Sequence, residues 1–406
     1  MTKSTLRQAY DILIKVYKDN TYLNLLMKKN SHAGVAKIVY GVLEKHYELN
    51  YIIDSLAEKK PKLNIRVMLL IASYCLLYLN TPYNVVLNGI SELAQSLGKS
   101  ALKPFLAAIT KKIDEKNYQL PKKNNKEYME VKYNLPSFLV GLFRKDYPNN
   151  FEEIINAKSY DRVHIIAKCG DKTVLEAEPT AIKTQTGYFV KNNKEISLLS
   201  FLGKATYMSY GSSLIAQSIP IGCGEKLLDT CAAPGGKSVF LAERGAKVTS
   251  CDIHEHRVKL ISDYAKRMNT KLDNICKRDA TKYYEKWQEH FDIVLVDAPC
   301  SGLGVLETRR DVIFNRTYQD ILNLASLQLT ILNNVKNYVK KGGLLVYSTC
   351  TIFSMENGDN VEKFLQQNND FRLEKIELPY QNDGTIQFLP DGKGMGGFYL
   401  CHMRRI

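Results

Sequence analysis

The chain has no C-x-x-C pair, only one tryptophan, and no apolar run long enough to read as a membrane span. Its nine cysteines (Cys75, Cys169, Cys223, Cys231, Cys251, Cys276, Cys300, Cys350 and Cys401) are scattered and odd in number. That speaks against a disulfide framework or a structural zinc knuckle and for the reducing cytoplasm. The first turns of sequence are charged and polar throughout, so no secretory leader is expected. Ile65 to Leu79 is the most apolar stretch, but Arg66, Ser73 and Tyr74 interrupt it, and it predicts a buried helix. Cys251, His254 and His256 follow no closed four-ligand spacing, so no metal is expected. Trp287 predicts packing rather than base stacking.

What is present is enough apolar residue, 45% over 406 positions, for two or three domains with real cores. The net charge of +14 is unevenly placed, with 23 Lys/Arg against 12 Asp/Glu in residues 1–150 and 33 against 30 in the rest. A basic first third suits a polyanionic partner, because phosphate contacts release counterions. A basic solvated surface would read the same way.

Residues 5–118 carry apolar positions at helical spacing, as in Leu6, Ala9, Ile12, Leu13, Val16 and Tyr17, with Pro61, Pro82 and Pro104 at first turns. They predict a helical bundle, with a Lys/Asn-rich linker from Tyr118 to Glu130. Two short helices, Pro136 to Tyr147 and Phe151 to Lys158, lead into brief strands near Arg162 to Lys168, Val174 to Ala177 and Gly187 to Val190. After residue 205, strands (Lys226 to Asp229, Lys247 to Cys251, Phe291 to Val296, Leu344 to Ser348) alternate with helices (Lys237 to Glu243, His254 to Met268, Tyr318 to Val339). The reading is three domains. Residues 1–125 are all-helical, 126–204 a small α+β domain, and 205–406 an α/β domain with an open, mostly parallel, doubly wound sheet. In such sheets ligands bind beyond the carboxyl ends of the strands.

The first strand end carries LLDTCAAPGGKS, Leu227 to Ser238. Gly235 and Gly236 allow a tight turn in which backbone approaches a ligand. A phosphate loop is excluded, because its first glycine would fall at Cys231. Asp252, after the second strand, is placed to accept from ribose hydroxyls, and Asp279, after a third strand near Ile275, is a further ligand candidate. Asp252 reads equally well, and Asp279 better, as a solvated aspartate capping a helix. The fourth strand stops at Asp297-Ala298-Pro299-Cys300-Ser301-Gly302 and the fifth at Thr349-Cys350, so two thiols and a carboxylate can adjoin at neighbouring strand ends. A lone buried cysteine is usually a small hydrophobe, and the pair by itself leaves catalysis an open alternative. Arg309 and Arg310, near the same edge, are candidates for phosphate contact.

CAAPGGK at 231–237, DAPCSGLG at 297–304, and YSTCTI at 347–352 followed by Glu356-Asn357 resemble the RNA cytosine-5 methyltransferases. The helical N-terminal region resembles antitermination-factor RNA-binding domains, and the combination is similar to the bacterial RsmB/Sun proteins. The resemblance implies a Rossmann-like class I methyltransferase domain that uses S-adenosyl-L-methionine to methylate C5 of a cytosine in small-subunit ribosomal RNA. Its catalytic residues would be Cys350 as the nucleophile toward C6, Cys300 as the product-release thiol, Asp297 on the base and Lys237 organising the pocket. Related DNA enzymes attack with the Pro-Cys cysteine, so Cys300 is a rival nucleophile. Cofactor contacts would come from Cys231, Ala232, Ala233, Pro234, Gly235, Gly236, Lys237, Asp252, Arg257, Asp279 and Asp297. RNA is the implied partner, with a monomer, no obligate protein partner and no membrane. The same chemistry on transfer RNA or another ribosomal site, or an assembly factor with weak activity, are the alternatives.

Four stretches depart from the family pattern. Ser209-Tyr210 stands where Gln-Asp is usual, and Arg310–Phe314 where Pro-Asp-Ile-Lys-Trp is usual. Gly396–Tyr399 replaces Asp-Gly-Phe-Phe, and Arg162-Val163-His164 replaces Arg-Val-Asn.

Overall fold

In the computed structural model, residues 3–19, 21, 23–27, 33–168, 173–176 and 178–406 are described. The apolar stretch near Ile65 is the helix Leu63–Leu77, buried at Val67 through Ser73 and at Cys75. A helix apolar on all sides must be central, and Lys3–Asp19, Ala33–Glu44, His46–Leu56, Tyr83–Ser96 and Lys103–Asp114 supply the apolar faces around it. Pro82 precedes the first turn of Tyr83–Ser96, and Pro104 lies within the first turn of Lys103–Asp114, where a missing N–H costs nothing.

The chain divides into two compact units. The first holds Met1–Phe151 together with Arg309–Arg316, and the second holds Glu152–Thr308 and Thr317–Ile406. The detached segment of the first unit is anchored by specific groups. Arg310 donates to the carbonyls of Tyr133 (3.3 Å) and Asn134 (3.0 Å), and Asp311 accepts from the Leu23 amide at 2.9 Å. Phe314 sets its ring edge-on to His46 and Tyr17, with centroids 4.7 and 5.5 Å apart. The expectation that Arg310 meets phosphate is therefore corrected: its guanidinium caps backbone carbonyls inside the helical unit.

In the second unit a small antiparallel sheet is built from β1 (Val163–Ala167), β2 (Ile182–Lys183), β3 (Tyr188–Val190) and β4 (Ala205–Tyr207), in the order β2-β3-β1-β4. The segment expected as a strand at Val174 is instead a helical turn, Thr173–Glu176; Ala177 and Cys169 lie outside the described residues. Both edges of β1 are taken by β3 and β4; the turn buries Leu175, and Glu176 accepts from the Tyr188 hydroxyl at 2.9 Å.

The large sheet runs through β5 (Lys226–Asp229), β6 (Lys247–Asp252), β7 (Asn274–Lys277), β8 (Phe291–Asp297), β9 (Val339–Thr349), β10 (Phe371–Leu373), β11 (Thr385–Phe388) and β12 (Phe398–Arg405). Its order is β10-β12-β9-β8-β5-β6-β7, with β11 also paired to β12. The strands β5 to β9 are parallel and the last three join antiparallel. Alternate residues feed two cores. Leu227, Ile293, Leu295, Leu344 and Val346 pack with Val239, Leu241 and Ile261 on one face. Leu228, Val294, Val296, Leu345 and Tyr347 pack with Ile331, Leu332, Val361 and Phe364 on the other. Burial on both faces is why these strands read as continuous apolar runs. The helix expected to reach Val339 ends at Val335, and Val339 opens β9 by pairing with Phe291. From β5 the sheet grows one way to β6 and the other way to β8, so a crevice opens at the β5 and β8 carboxyl ends.

Candidate active site

At the end of β5 the chain turns through Thr230 to Gly235 into the helix Gly236–Glu243. Gly235 has φ +110°, and a Cβ there would sit 3.2 Å from Ile261 Cα, so this turn must be bare backbone against the next helix. Asp229, the last residue of β5, is fully buried; Ser238 donates to its Oδ2 at 2.7 Å, while its Oδ1 has no protein partner. Burial pushes this carboxyl up to about 7. Burial likewise pushes the Cys231 thiol up to about 12, so Cys231 is an inert member of the turn.

Asp252 closes β6 and is 2% exposed. Its Oδ1 accepts from the His254 amide at 3.1 Å, and Arg257 approaches Oδ2 at 3.4 Å while donating to the Ala233 carbonyl at 3.3 Å. Arg257 thus ties the glycine turn to the second strand end. Asp279 is engaged locally, accepting from the Thr281 amide (3.0 Å) and hydroxyl (2.7 Å), contacts that hold its carboxyl below the usual range. The Cys251 thiol turns to Cys276 at 3.1 Å, not toward the histidines. Trp287 packs edge-on against Tyr284, Phe291 and Tyr338.

At the ends of β8 and β9 the candidate groups converge. Asp297 pairs with Lys237 through Oδ2 at 2.6 Å and accepts from Ser348 through Oδ1 at 2.8 Å. Three residues on, the Cys300 sulfur lies 3.1 Å from that of Cys350, and the Cys350 amide points at the Cys300 sulfur at 3.3 Å. The thiol contact and the Lys237 ammonium pull the Cys350 thiol down, while the same contact, burial and the Glu356 carboxylate push Cys300 up. The pair is thereby split into one thiol disposed to ionise and one disposed to keep its proton.

A buried polar network holds the two cysteine loops together. Glu356, fully buried, accepts from the Ser301 amide (2.8 Å), the Ser301 hydroxyl (2.5 Å) and Gln328 Nε2 (3.0 Å). Gln328 also donates to the Pro299 carbonyl at 2.9 Å and accepts from Tyr347 and Asn360. Asn357 accepts from Thr349 at 2.7 Å and donates to the Thr351 carbonyl and to Gln387. Backbone closes the same junction. The Gly304 amide donates to the Cys350 carbonyl at 3.0 Å and the Gly397 amide to the Gly304 carbonyl at 2.6 Å. A Cβ on Gly304 would meet the Gly397 carbonyl oxygen at 2.1 Å, so this crossing admits only glycine.

Asp229, Gln328 and Ser348 were missed in the sequence. Asp229 had a signal, a carboxylate ending an apolar strand before a glycine turn. Gln328 had a weaker one, a polar residue in register with Ile321, Ala325 and Leu332 on a buried helix face.

Residues 220–404 match the family described as "16S rRNA methyltransferase RsmB/F", and residues 4–115 match the NusB family. The ribosomal RNA small subunit methyltransferase B of Vibrio vulnificus is 30% identical over 403 residues, covering 92% of this chain and 91% of that protein. The chain belongs to the RsmB family. The probable ribosomal RNA small subunit methyltransferase B of Bacillus subtilis is 29% identical, with full coverage of both chains. The crystal structure of PH0851 superimposes with a TM-score of 0.84 at 23% identity, covering 100% of this chain and 99% of that one, which places this fold across the whole length. NSun6 from Pyrococcus horikoshii, solved with SFG, covers 67% of this chain at 18% identity, with a TM-score of 0.57.

As an RsmB-family member the chain is an S-adenosylmethionine-dependent RNA cytosine-5 methyltransferase, and its partner class is RNA. The β5–β6 end fits that cofactor: carboxylates at Asp229 and Asp252 can accept from hydroxyl and ammonium groups, one carboxylate oxygen is unpartnered, and the turn between them is bare backbone. Among the described residues no helix is long and apolar enough to cross a membrane, and no group of three metal-ligating side chains occurs.

Proposed function

We propose that this chain methylates one cytosine of small-subunit ribosomal RNA, with Cys350 as the nucleophile. The observation that carries the reading is the Cys300–Cys350 contact of 3.1 Å beside the Lys237–Asp297 pair, at two adjacent parallel strand ends. Bound cofactor supplies an electrophilic methyl group on a sulfonium. The Cys350 thiolate adds to C6 of the cytosine, forming a C–S bond and sending the ring electrons toward C5. Asp297 accepts from the N4 amino group, and with Lys237 it supplies the proton that N3 takes up. After C5 has taken the methyl group, solvent water placed beside Cys300 receives the C5 proton as the C–S bond breaks, Cys350 leaves as thiolate, and N3 returns its proton to the Asp297–Lys237 pair. The cofactor is held by residues 231–237, Asp252 and Arg257, with Asp279 bordering it and Asp229, on its unpartnered oxygen, facing it. A base held in a helix must leave its stack to enter, at a cost of a few kcal/mol.

The helical region 1–125 would bind RNA, and the small α+β region 126–204 would present it to the methyltransferase region 205–406, in a cytoplasmic monomer with no obligate protein partner. The test is methyl incorporation and adduct formation on small-subunit RNA lacking the modification. Cys350→Ala should abolish both. Cys300→Ala should form a covalent RNA–protein adduct that persists. The opposite pattern, with the adduct on Cys350→Ala, would assign attack to Cys300.

A further inference from the structure

A second cleft, about 490 Å³ in volume, lies in the same unit, apart from the thiol pair. Its lining includes the rings of Phe189, Tyr207 and Tyr210, the cations Lys158 and Arg162, and the Glu307 carboxyl; one Arg162 nitrogen also donates to the Thr180 carbonyl. Glu307 stands seven residues after Cys300 on one loop, the loop fixed to the Cys350 strand through Gly304. The walls are held in place. Phe189 meets Tyr160, His164 and Tyr210 edge-on at 5.1, 5.0 and 5.6 Å between centroids. His164 uses both ring nitrogens, with the Met208 carbonyl at 2.8 Å and the Thr184 hydroxyl at 3.0 Å, so it is a brace rather than a ligand group. The turn at Gly394 has φ +101°, and a Cβ there would lie 2.4 Å from Phe189 Cζ, so bare backbone lies against that ring. Two departures from the family pattern, at Arg162–His164 and Ser209-Tyr210, both line this cleft.

Aromatic walls, a basic rim and one carboxylate match an unstacked nucleotide: a base on the rings, its phosphates on the cations, its hydrogen-bonding edge on the acceptor. Burial pushes the Glu307 carboxyl up to about 7, so at pH 8 it is ionised and offers two acceptor oxygens, and among the four RNA bases only guanine presents two adjacent N–H donors on one edge, at N1 and N2. We infer that this cleft is a second nucleotide subsite, which takes a guanosine flanking the target cytosine and reads it through Glu307. The inference rests on the RNA methyltransferase reading above, and it adds a specificity determinant outside the catalytic groups.

Binding can be measured without turnover. Two fluorescein-labelled single-stranded RNA hexamers, one with guanosines on both sides of a central cytosine and one with inosines there, are titrated against the full-length protein by polarisation at pH 8, where the Glu307 carboxyl is ionised. Inosine lacks the N2 amino group, and losing a hydrogen bond to a charged group is worth about ten-fold or more. Wild type should prefer the guanosine hexamer by about that factor. Glu307→Gln should bring the ratio close to one, and Tyr207→Ala, at a partly exposed residue, should weaken both hexamers alike. On an RNA the wild type methylates, both variants should raise KM with kcat nearly unchanged. Equal binding of the two hexamers by wild type, or full discrimination kept by Glu307→Gln, overturns the subsite. Neither result bears on methyl transfer, whose failure would show separately as absent incorporation by wild type.

Discussion

Removing the Glu356 carboxylate tests whether the cysteine pair is held by its buried network. In Glu356→Ala the Ser301 amide, the Ser301 hydroxyl and Gln328 Nε2 each lose a hydrogen bond to a buried carboxylate, while the Ser301 hydroxyl keeps Thr351 at 3.0 Å and Gln328 keeps the Pro299 carbonyl. Losing hydrogen bonds to a buried charged group costs about 1–3 kcal/mol, and the cavity left by the side chain adds about 1 kcal/mol more. The net loss should be roughly 2–4 kcal/mol, or about 5–15 °C in Tm for a unit of this size. Glu356→Gln keeps shape and one acceptor, and the Ser301 hydroxyl can reverse to accept from the new amide, so about 1 kcal/mol is expected. Because Ser301 follows Cys300, a shift of its amide displaces the second thiol, and misplacement of about 1 Å costs on the order of 10²-fold in rate. Denaturant unfolding of the three proteins, with single-turnover methylation under the same conditions, gives the comparison. Wild type, Gln and Ala should fall in that order in both measurements. An alanine variant within about 1 kcal/mol of wild type and equally fast, or a glutamine variant as damaged as alanine, would refute the clamp.

Cys350 should be alkylated by iodoacetamide at lower pH than an ordinary thiol. Since its lowered pKa comes first from Cys300, Cys300→Ala should move the pH–rate curve upward, which mass spectrometry of the peptide would show. Asp297→Asn should cut kcat by about 10² or more while cofactor affinity, measured by calorimetry, stays within a few-fold. Asp229 is pushed up to about 7 by burial, so the unfolded chain ionises first as pH rises from about 4 to 7 and stability falls across that window. Asp229→Asn should flatten that decline in denaturation midpoints measured across it. Gly304→Ala should be destabilised and nearly inactive, because its methyl group would overlap the Gly397 carbonyl; a fully active, equally stable protein would contradict the close crossing.

The parallel strands were legible because burial on both faces makes each of them a continuous apolar run, and the residues that follow them stand out as polar. Asp252, Asp297, Cys300 and Cys350 were found in that way. The adjacency of β8 and β9 made the thiol pair conceivable, but a spacing of 50 residues carries no distance, and only the fold brings the sulfurs together. The network at Glu356 was illegible for the same reason, as its donors come from a loop 55 residues earlier and a helix 28 residues earlier. Arg310 was misread because charge suggests solvent or phosphate, whereas its donors complete carbonyls at Tyr133 and Asn134. At Val174 local β propensity gave way to the lack of a vacant edge on β1.

The segment Arg309–Arg316 has a consequence for how this chain can be cut. It lies inside the sequence span that matches the methyltransferase family, yet it belongs to the helical unit, with Asp311, Val312 and Ile313 buried and Phe314 packed on the helical core. A fragment beginning at residue 220 would carry Val312, Ile313 and Phe314 into water and strip Arg310 and Asp311 of their partners. The helical unit made alone would in turn lack the ring that packs on Tyr17 and His46. The polypeptide crosses between the units three times, so they cannot be exchanged with those of another protein like beads on a string. A working chimera has to bring residues 309–316 from the same parent as its helices.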